Sequence, residues 1–228
     1  MSLLVNRKFR EWTEGLDPHQ SRISIFEHIR DIPYSLDLPP QGSSAIEQLL
    51  SDWQGACGAK HYLLADMFRR LDLAVVFATF AFSWNDPEIR YPPPLRGLVA
   101  RLPVIHHLAC RVRIGCRWVL VDATWDPPLA KAGFPVNLNW DGYADTRCAV
   151  KPMPSPVRTA FCRTATNAPC RSGAEAELCP LDGETDYRDE EEHAELSSGK
   201  RALRSPDDIV LIRQFNQEFS DWLKTLRT

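Results

Sequence analysis

The sequence predicts an α+β fold in which N-terminal helices pack on an antiparallel β-sheet, with a cysteine where the helical part hands over to the sheet. Three observations carry this. Apolar residues recur at helical spacing in the N-terminal third, a β-branched and aromatic run follows at 73–82, and two alternating runs flank Gly115-Cys116 as in a hairpin. With 228 residues and 44% hydrophobic content the chain can bury one substantial core, whereas two complete domains would each be small.

The elements follow in order. "RISIFEHIRDIPY" places Ile23, Ile25, Phe26 and Ile29 at helical spacing until the Ile-Pro pair ends the run. "SSAIEQLLSDW" reads as a second helix, with Ser44 three residues ahead of Glu47 as a capping box. From Cys57 onward, Leu63, Leu64, Met67, Phe68 and Leu71 repeat at i, i+3, i+4 as a buried helix face, and Cys57 falls in the first turn. "LAVVFATFAF" is short enough for a buried strand. "NDPEIRYPPPLRGL" is expected as an exposed loop on one rim of a cleft.

The most informative stretch is "HHLACRVRIGCRWVLVDATWD", residues 106–126. Gly at the first central position of a two-residue turn suits type II′. In that register Leu108, Cys110, Val112 and Ile114 share the core face with Val119, Val121 and Ala123. His107, Ala109 and Arg111 share the other face with Leu120, Asp122 and Thr124, and His106 points away from it. Asp122 lies opposite Ala109, hence diagonal to His107 and within reach of its imidazole proton.

A thiol at a helix N-terminus with a histidine and a carboxylate on one sheet face has a defined chemistry. The unpaired N–H groups and helix dipole favour thiolate. An imidazole completes the activation and protonates the leaving group, while a carboxylate fixes its tautomer. The order Cys, His, Asp predicts acyl transfer through a thioester.

Through "GACGAKHYLLADMFRRLDL" and "HHLACRVRIGCRWVLVDATWD" the chain resembles the transglutaminase-like superfamily over roughly residues 20–150. The resemblance implies a papain-like fold, with Cys57 as nucleophile, His107 as base and Asp122 as orienting acid. Members of that family include protein crosslinkers, proteases, amidases and inactive relatives. Two features depart from its pattern. His107 is followed by Leu-Ala, where many members have an aromatic residue two places on. In "DWQGA", Trp53 and Gln54 are both candidate oxyanion donors alongside the Cys57 N–H.

Each candidate has a plainer reading. A lone cysteine is more often a small buried hydrophobe, and the family-like context reverses this for Cys57. His61 is the rival base, because i+4 spacing sets it on the Cys57 face of the helix. Lys60 is expected to be a solvated or capping charge. Trp125, Trp140 and Tyr143 are candidates for lining a substrate pocket, against a structural wrap, and Asp126 is a further cleft candidate. The resemblance implies that residues 1–150 form a transglutaminase-like catalytic domain. Residues 151–205 read as irregular and acidic, with "DGETDYRDEEEHAE" as a solvated run. Residues 206–228 form an amphipathic helix with an Ile209, Ile212, Phe215, Phe219, Trp222, Leu226 stripe that docks on the domain.

The net charge of −3 lacks the basic excess of nucleic-acid binders. No apolar run is long enough to span a membrane, and "MSLLVNRKFREW" is too polar for a signal-peptide core, so a cytoplasmic location is expected. Seven irregularly spaced cysteines suit a reduced compartment. Cys162, Cys170 and Cys179 lack the close pairing of zinc ligands, and no acidic loop resembles a calcium site. No metal or cofactor is expected. The implied partners are an amide- or peptide-containing substrate and, for a transferase, an amine acceptor. Hydrolysis is narrowly preferred over amine acyl transfer. The alternatives are an inactive peptide- or protein-binding relative and an arylamine N-acetyltransferase, whose Arg-Gly-Gly cysteine surroundings are missing here.

Overall fold

The computed structural model describes residues 2–36, 44–154, 184–187 and 204–228. Its helices and small antiparallel sheet make an α+β fold. Helices α1 (Leu3–Thr13) and α2 (Pro18–Asp31) come first. Asp17 starts α2 with a capping box, accepting the Gln20 N–H at 2.8 Å while the Gln20 side chain accepts the Asp17 N–H at 3.2 Å. Helix α3 (Ala45–Asp52) begins at Ser44, but the Ser44 hydroxyl makes no capping bond, contrary to the predicted Ser44/Glu47 box. Ser44 is exposed, where water can satisfy the first N–H groups instead. Helix α4 (Cys57–Arg69) buries Leu63, Leu64, Met67 and Phe68 completely.

The sheet runs β3-β2-β1-β4, with β1 at Val75–Phe82, β2 at Ile105–Ile114, β3 at Arg117–Val121 and β4 at Glu184–Tyr187. Every pairing is antiparallel. Ile114 pairs with Arg117, and Gly115 has φ 62° while Cys116 has no positive φ, as a type II′ turn requires. The pairing Cys110↔Val121 continues to set Asp122 opposite Ala109. The predicted core face of the hairpin packs with α1–α4 into one apolar cluster.

Several expectations are corrected. The segment read as an exposed loop contains α5 (Pro93–Val99), which buries Leu95, Leu98 and Val99, and Ile89 and Tyr91 before it are buried too. Proline fits the first helical positions because the N–H it lacks has no intrahelical acceptor there. Within the run read as solvated, residues 184–187 form β4 on the edge of β1, with Glu184 buried 3.8 Å from Arg111. Cys116 is disulfide-bonded, against the expectation of reduced cysteines. Cys162, Cys170 and Cys179 lie outside the described residues.

A 3₁₀ helix (Pro127–Ala132) leads to an irregular wrap, and α6 (Pro206–Leu226) follows near the C-terminus. Helix α6 turns Leu211, Phe215, Phe219 and Leu223 inward, whereas Ile209 is 39% exposed. The buried row is 211, 215, 219, 223, and Trp222 and Leu226 of the predicted stripe pack beside it, partly buried. It joins Tyr34, Trp84, Trp125 and Phe134 in an aromatic cluster. Arg227 then forks onto Asp126, with both bonds 2.8 Å, and also donates to the Tyr34 carbonyl. Among the described residues no helix is long and apolar enough to cross a membrane.

Candidate active site

Cys57 occupies the first position of α4, after the N-cap Ala56. The chain entering the helix is stitched to the chain leaving α2: Gly55 bridges Tyr34, the Ser35 N–H donates to the Gly55 carbonyl, and the Gly55 N–H donates to Pro33, both at 3.1 Å. The Cys57 position is therefore fixed from both sides, and its half-buried side chain sits where helix N–H groups lack partners.

His107 lies on β2 opposite Phe80. Its Nε2–H donates to Asp122 Oδ2 at 2.8 Å, and the nearby Cys57 side chain acts on the same ring, both favouring its charged form. Asp122 receives three further donors: the Ala149 N–H at 2.7 Å, the Thr124 N–H at 3.1 Å and the Thr124 hydroxyl at 2.6 Å. The structure thus brings the predicted Cys57, His107 and Asp122 together.

Burial by itself raises the Cys57 pKa, but the hydrogen bond and charge of His107, with the Leu108 N–H, outweigh it and lower the thiol. Burial likewise opposes charge on His107, yet the Asp122 carboxylate and the Cys57 sulfur lift it to about 10. Asp122 resists its own burial through His107, His61 and Thr124 and stays well below the usual carboxylate range. The combined directions favour a thiolate–imidazolium pair.

His61 has a different task. Its Nε2 accepts the Ala123 N–H at 3.1 Å, so Nδ1–H donates to the Cys57 carbonyl at 2.9 Å. Both nitrogens are committed, so the rival base is a structural residue. Lys60, expected as a solvated or capping charge, is fully buried. Its ammonium donates to the carbonyls of Arg30 (3.0 Å), Ile32 (2.9 Å) and Thr124 (2.7 Å), tying the end of α2 to the loop beside Asp122. Burial pushes its pKa down to about 7, opposed by the nearby Asp126, Asp122 and Asp31 charges.

Of the other candidates, Trp125 is buried against Tyr34 (4.5 Å) and Phe134 (4.5 Å), with its indole N–H on the Ala149 carbonyl. The Trp53 ring meets Trp12 edge-on beneath Lys8, and Gln54 is partly exposed. The structure does not gather Trp140 and Tyr143 with Trp125. Trp140 packs on Phe26 and Phe68 in the helical core, while the exposed Tyr143 stacks on His19 and under Arg22 at the N-terminal half of α2. Nothing in their local sequence distinguishes a pocket aromatic from a packing one.

Sequence reasoning missed Tyr34 and the 146–149 segment. Burial first, and then the Cys57 charge, raises the Tyr34 phenol well above its usual value. Thr146 accepts the Asp122 N–H at 2.8 Å, and Cys148 joins His107 and Asp122 in a group whose ligand-type atoms lie within 4.8 Å of one another. These three could ligate a cation only by displacing the His107–Asp122 bond. Thr124 was legible as Asp122's neighbour on the same face, whereas residues 146–149 arrive from beyond an irregular wrap and carry no local signal.

Comparison with protein-family models and with curated proteins finds no match. Among solved structures, the chain is similar to a protein from Cytophaga hutchinsonii described as a candidate cysteine protease, at 18% identity and a TM-score of 0.39. The match covers 56% of this chain and 38% of that one, so this chain spans well under half of that protein's length. A likeness this distant carries no argument about activity, which rests on the geometry of the site.

Proposed function

We propose that this chain is a cysteine-dependent hydrolase of amide or peptide bonds, acting through a thioester, on a transglutaminase-like variant of the α+β fold. The observation that carries the reading is the His107–Asp122 bond beside Cys57, with the carboxylate held by three further donors and the thiol lowered by His107. A carboxylate fixed in this way keeps Nε2 protonated, so Nδ1 is the nitrogen that exchanges a proton with sulfur and substrate.

The Cys57 thiolate attacks the amide carbonyl carbon, and the C=O π pair moves onto oxygen. The Cys57 N–H and the Gln54 carboxamide receive that oxyanion; Trp53, whose ring packs towards α1, is the lesser candidate. The oxyanion collapses, the C–N bond breaks, and the Nδ1 proton passes to the departing amine. Water then attacks the thioester carbonyl while His107 takes its proton, and collapse releases the carboxylic acid and the thiolate. An amine in place of water would give acyl transfer, and hydrolysis is preferred because water requires no second site.

Brief, limiting alkylation by iodoacetamide, followed by intact mass and peptide mapping, tests the nucleophile. The expected result is selective labelling of Cys57 that persists well below the free-thiol pKa of about 8.5 and is lost in His107→Ala. Slow labelling spread over several cysteines would refute an activated thiol.

A further inference from the structure

We propose that Tyr34 is a further catalytic residue, its phenol hydroxyl donating a hydrogen bond to the oxyanion that forms when Cys57 attacks a carbonyl. The inference rests on the hydrolase reading and deepens it, adding a buried donor to the Cys57 N–H and the partly exposed Gln54.

The fold brings Tyr34 to the start of α4 and holds it there. The Ile32-Pro33 pair ends α2, and the next residue, Tyr34, bridges Gly55, two positions before Cys57. Tyr34 is 3% exposed and belongs to the aromatic cluster against which Ala56 and Cys57 pack. Its ring lies 4.5 Å from that of Trp125 and 6.4 Å from that of Phe219. Both backbone groups are clamped: the N–H donates to Asp126 Oδ1 and the carbonyl accepts from Arg227, each at 2.8 Å. A ring packed in this way on a backbone bonded at both polar groups has little freedom to reorient, and an oxyanion donor depends on such preorganisation.

The hydroxyl itself has no task inside the fold. Among the described residues every hydrogen bond of Tyr34 is made by its backbone, and its oxygen is not one of the buried side-chain atoms sealed off without a partner. It therefore remains open to an incoming group. Two neighbours in the cluster differ: the Tyr91 hydroxyl donates to the Trp84 carbonyl at 3.0 Å, and the Trp125 N–H to the Ala149 carbonyl at 2.8 Å. Buried hydroxyls are normally paired, so the Tyr34 phenol is the exception in this cluster that calls for a partner from outside the chain.

Electrostatics favour the same partner. After burial, the Cys57 charge acts most on the phenol, ahead of Tyr91 and Asp122, and together they keep it protonated and able to donate. When the thiolate adds to a carbonyl carbon, the S–C bond forms and the negative charge moves from sulfur to the carbonyl oxygen. The phenol shares its proton with that oxygen without giving it up. When the oxyanion collapses and the C–N bond breaks, the phenol is unchanged.

The test uses an aldehyde, which Cys57 converts reversibly into a thiohemiacetal bearing the same oxygen. N-acetylaminoacetaldehyde, which carries no side chain, is set in competition with limiting iodoacetamide. Its protection of Cys57 gives the dissociation constant, and the unprotected reaction gives the alkylation rate. Tyr34→Phe should weaken the aldehyde adduct about tenfold or more. Its alkylation rate and urea midpoint should be unchanged, because displacing iodide puts no charge on a carbonyl oxygen and the lost hydroxyl holds nothing in the fold. Equal aldehyde affinity in the two proteins, or an adduct in neither, would overturn the assignment. So would a parallel fall in alkylation, which would place the hydroxyl on the thiol, or a loss of stability, which would place it in the fold. Slow labelling of several cysteines in the unaltered protein would remove the hydrolase reading and Tyr34 with it, whereas selective labelling with undiminished aldehyde binding in Tyr34→Phe removes Tyr34 alone.

Discussion

His61 and His107 are perpendicular rings 6.0 Å apart, with Nε2 of each near Asp122, at 3.6 and 2.8 Å. Their exposures, 0% and 2%, are nearly equal, so burial cannot be what distinguishes them. Yet His61 is pushed down to about 4 and His107 up to about 10. For His61, burial is the leading influence and the Ala123 N–H occupies Nε2, which leaves no place for a second proton. For His107, a carboxylate takes the Nε2–H and the Cys57 sulfur adds to it, so the charged form gains from both partners. Partner type, not depth, sets the two histidines apart, and on the proposed function it is His107 that does the chemistry.

Replacing each ring in turn breaks the comparison most sharply. His107→Ala should lower kcat by about 10²–10⁴-fold or more while the fold is retained, and Cys57→Ala should abolish turnover. His61→Gln should reduce stability more than it reduces kcat in whatever protein remains folded. A His61→Gln protein as inactive per folded molecule as His107→Ala would exchange their roles.

Asp122→Asn sharpens the same contrast, because Asp122 bonds His107 while both His61 nitrogens are committed elsewhere. A carboxamide offers one acceptor oxygen where the carboxylate meets His107, Ala149 and Thr124. Loss of the imidazolium's partner should cost about 10²-fold or more in kcat. Alkylation of Cys57 near neutral pH should slow in parallel. Unchanged alkylation would mean that Asp122 orients His107 without charging it.

Lys60 extends the comparison along α4, three residues beyond Cys57. All three of its donors end on carbonyls, a structural role on the His61 pattern. Lys60→Met keeps the length of the side chain but strands those carbonyls, and should destabilise the protein by about 2–4 kcal/mol, read from urea unfolding. Because Thr124 holds both Lys60 and Asp122, kcat should fall only modestly in the folded fraction.

The placement of His107 beside Asp122 was legible because alternation is a strict code: Gly115 pins the hairpin, and parity then assigns Asp122 to the His107 face. Cys57 was legible because helical periodicity begins at that residue. The Lys60 environment was not. Lysine is rarely buried, and the three carbonyls that justify it come from two distant segments. The aromatic cluster was hidden for a similar reason, since Trp125, Trp140 and Tyr143 look alike in sequence and only the path of the irregular wrap separates them. For α5, three prolines signalled a loop because their compatibility with a first helical turn was outweighed by their frequency in turns.

The smallest effect concerns protons alone. His61 binds its proton near pH 6.5 in the unfolded chain and only near 4 in the folded one. Between these values the unfolded state holds more protons, so stability falls as pH drops from about 6.5 to about 4. His107 has the opposite sign: its contribution is complete below about 6.5 and is lost as pH rises towards 10. Lys60, lowered to about 7, adds stability as pH rises from there towards its unfolded value, and so offsets part of the His107 loss on the alkaline side. The acid limb is therefore where His61 can be isolated. Asp122, held below the usual carboxylate range, is lost only at still lower pH, and a Cys57→Ala background removes the thiolate. In that background, urea midpoints between pH 4 and 6.5 should fall less steeply on acidification with His61→Gln than with His61 present. Parallel slopes would show that His61 is protonated in the folded protein, and the contrast between the two rings would then rest on geometry alone.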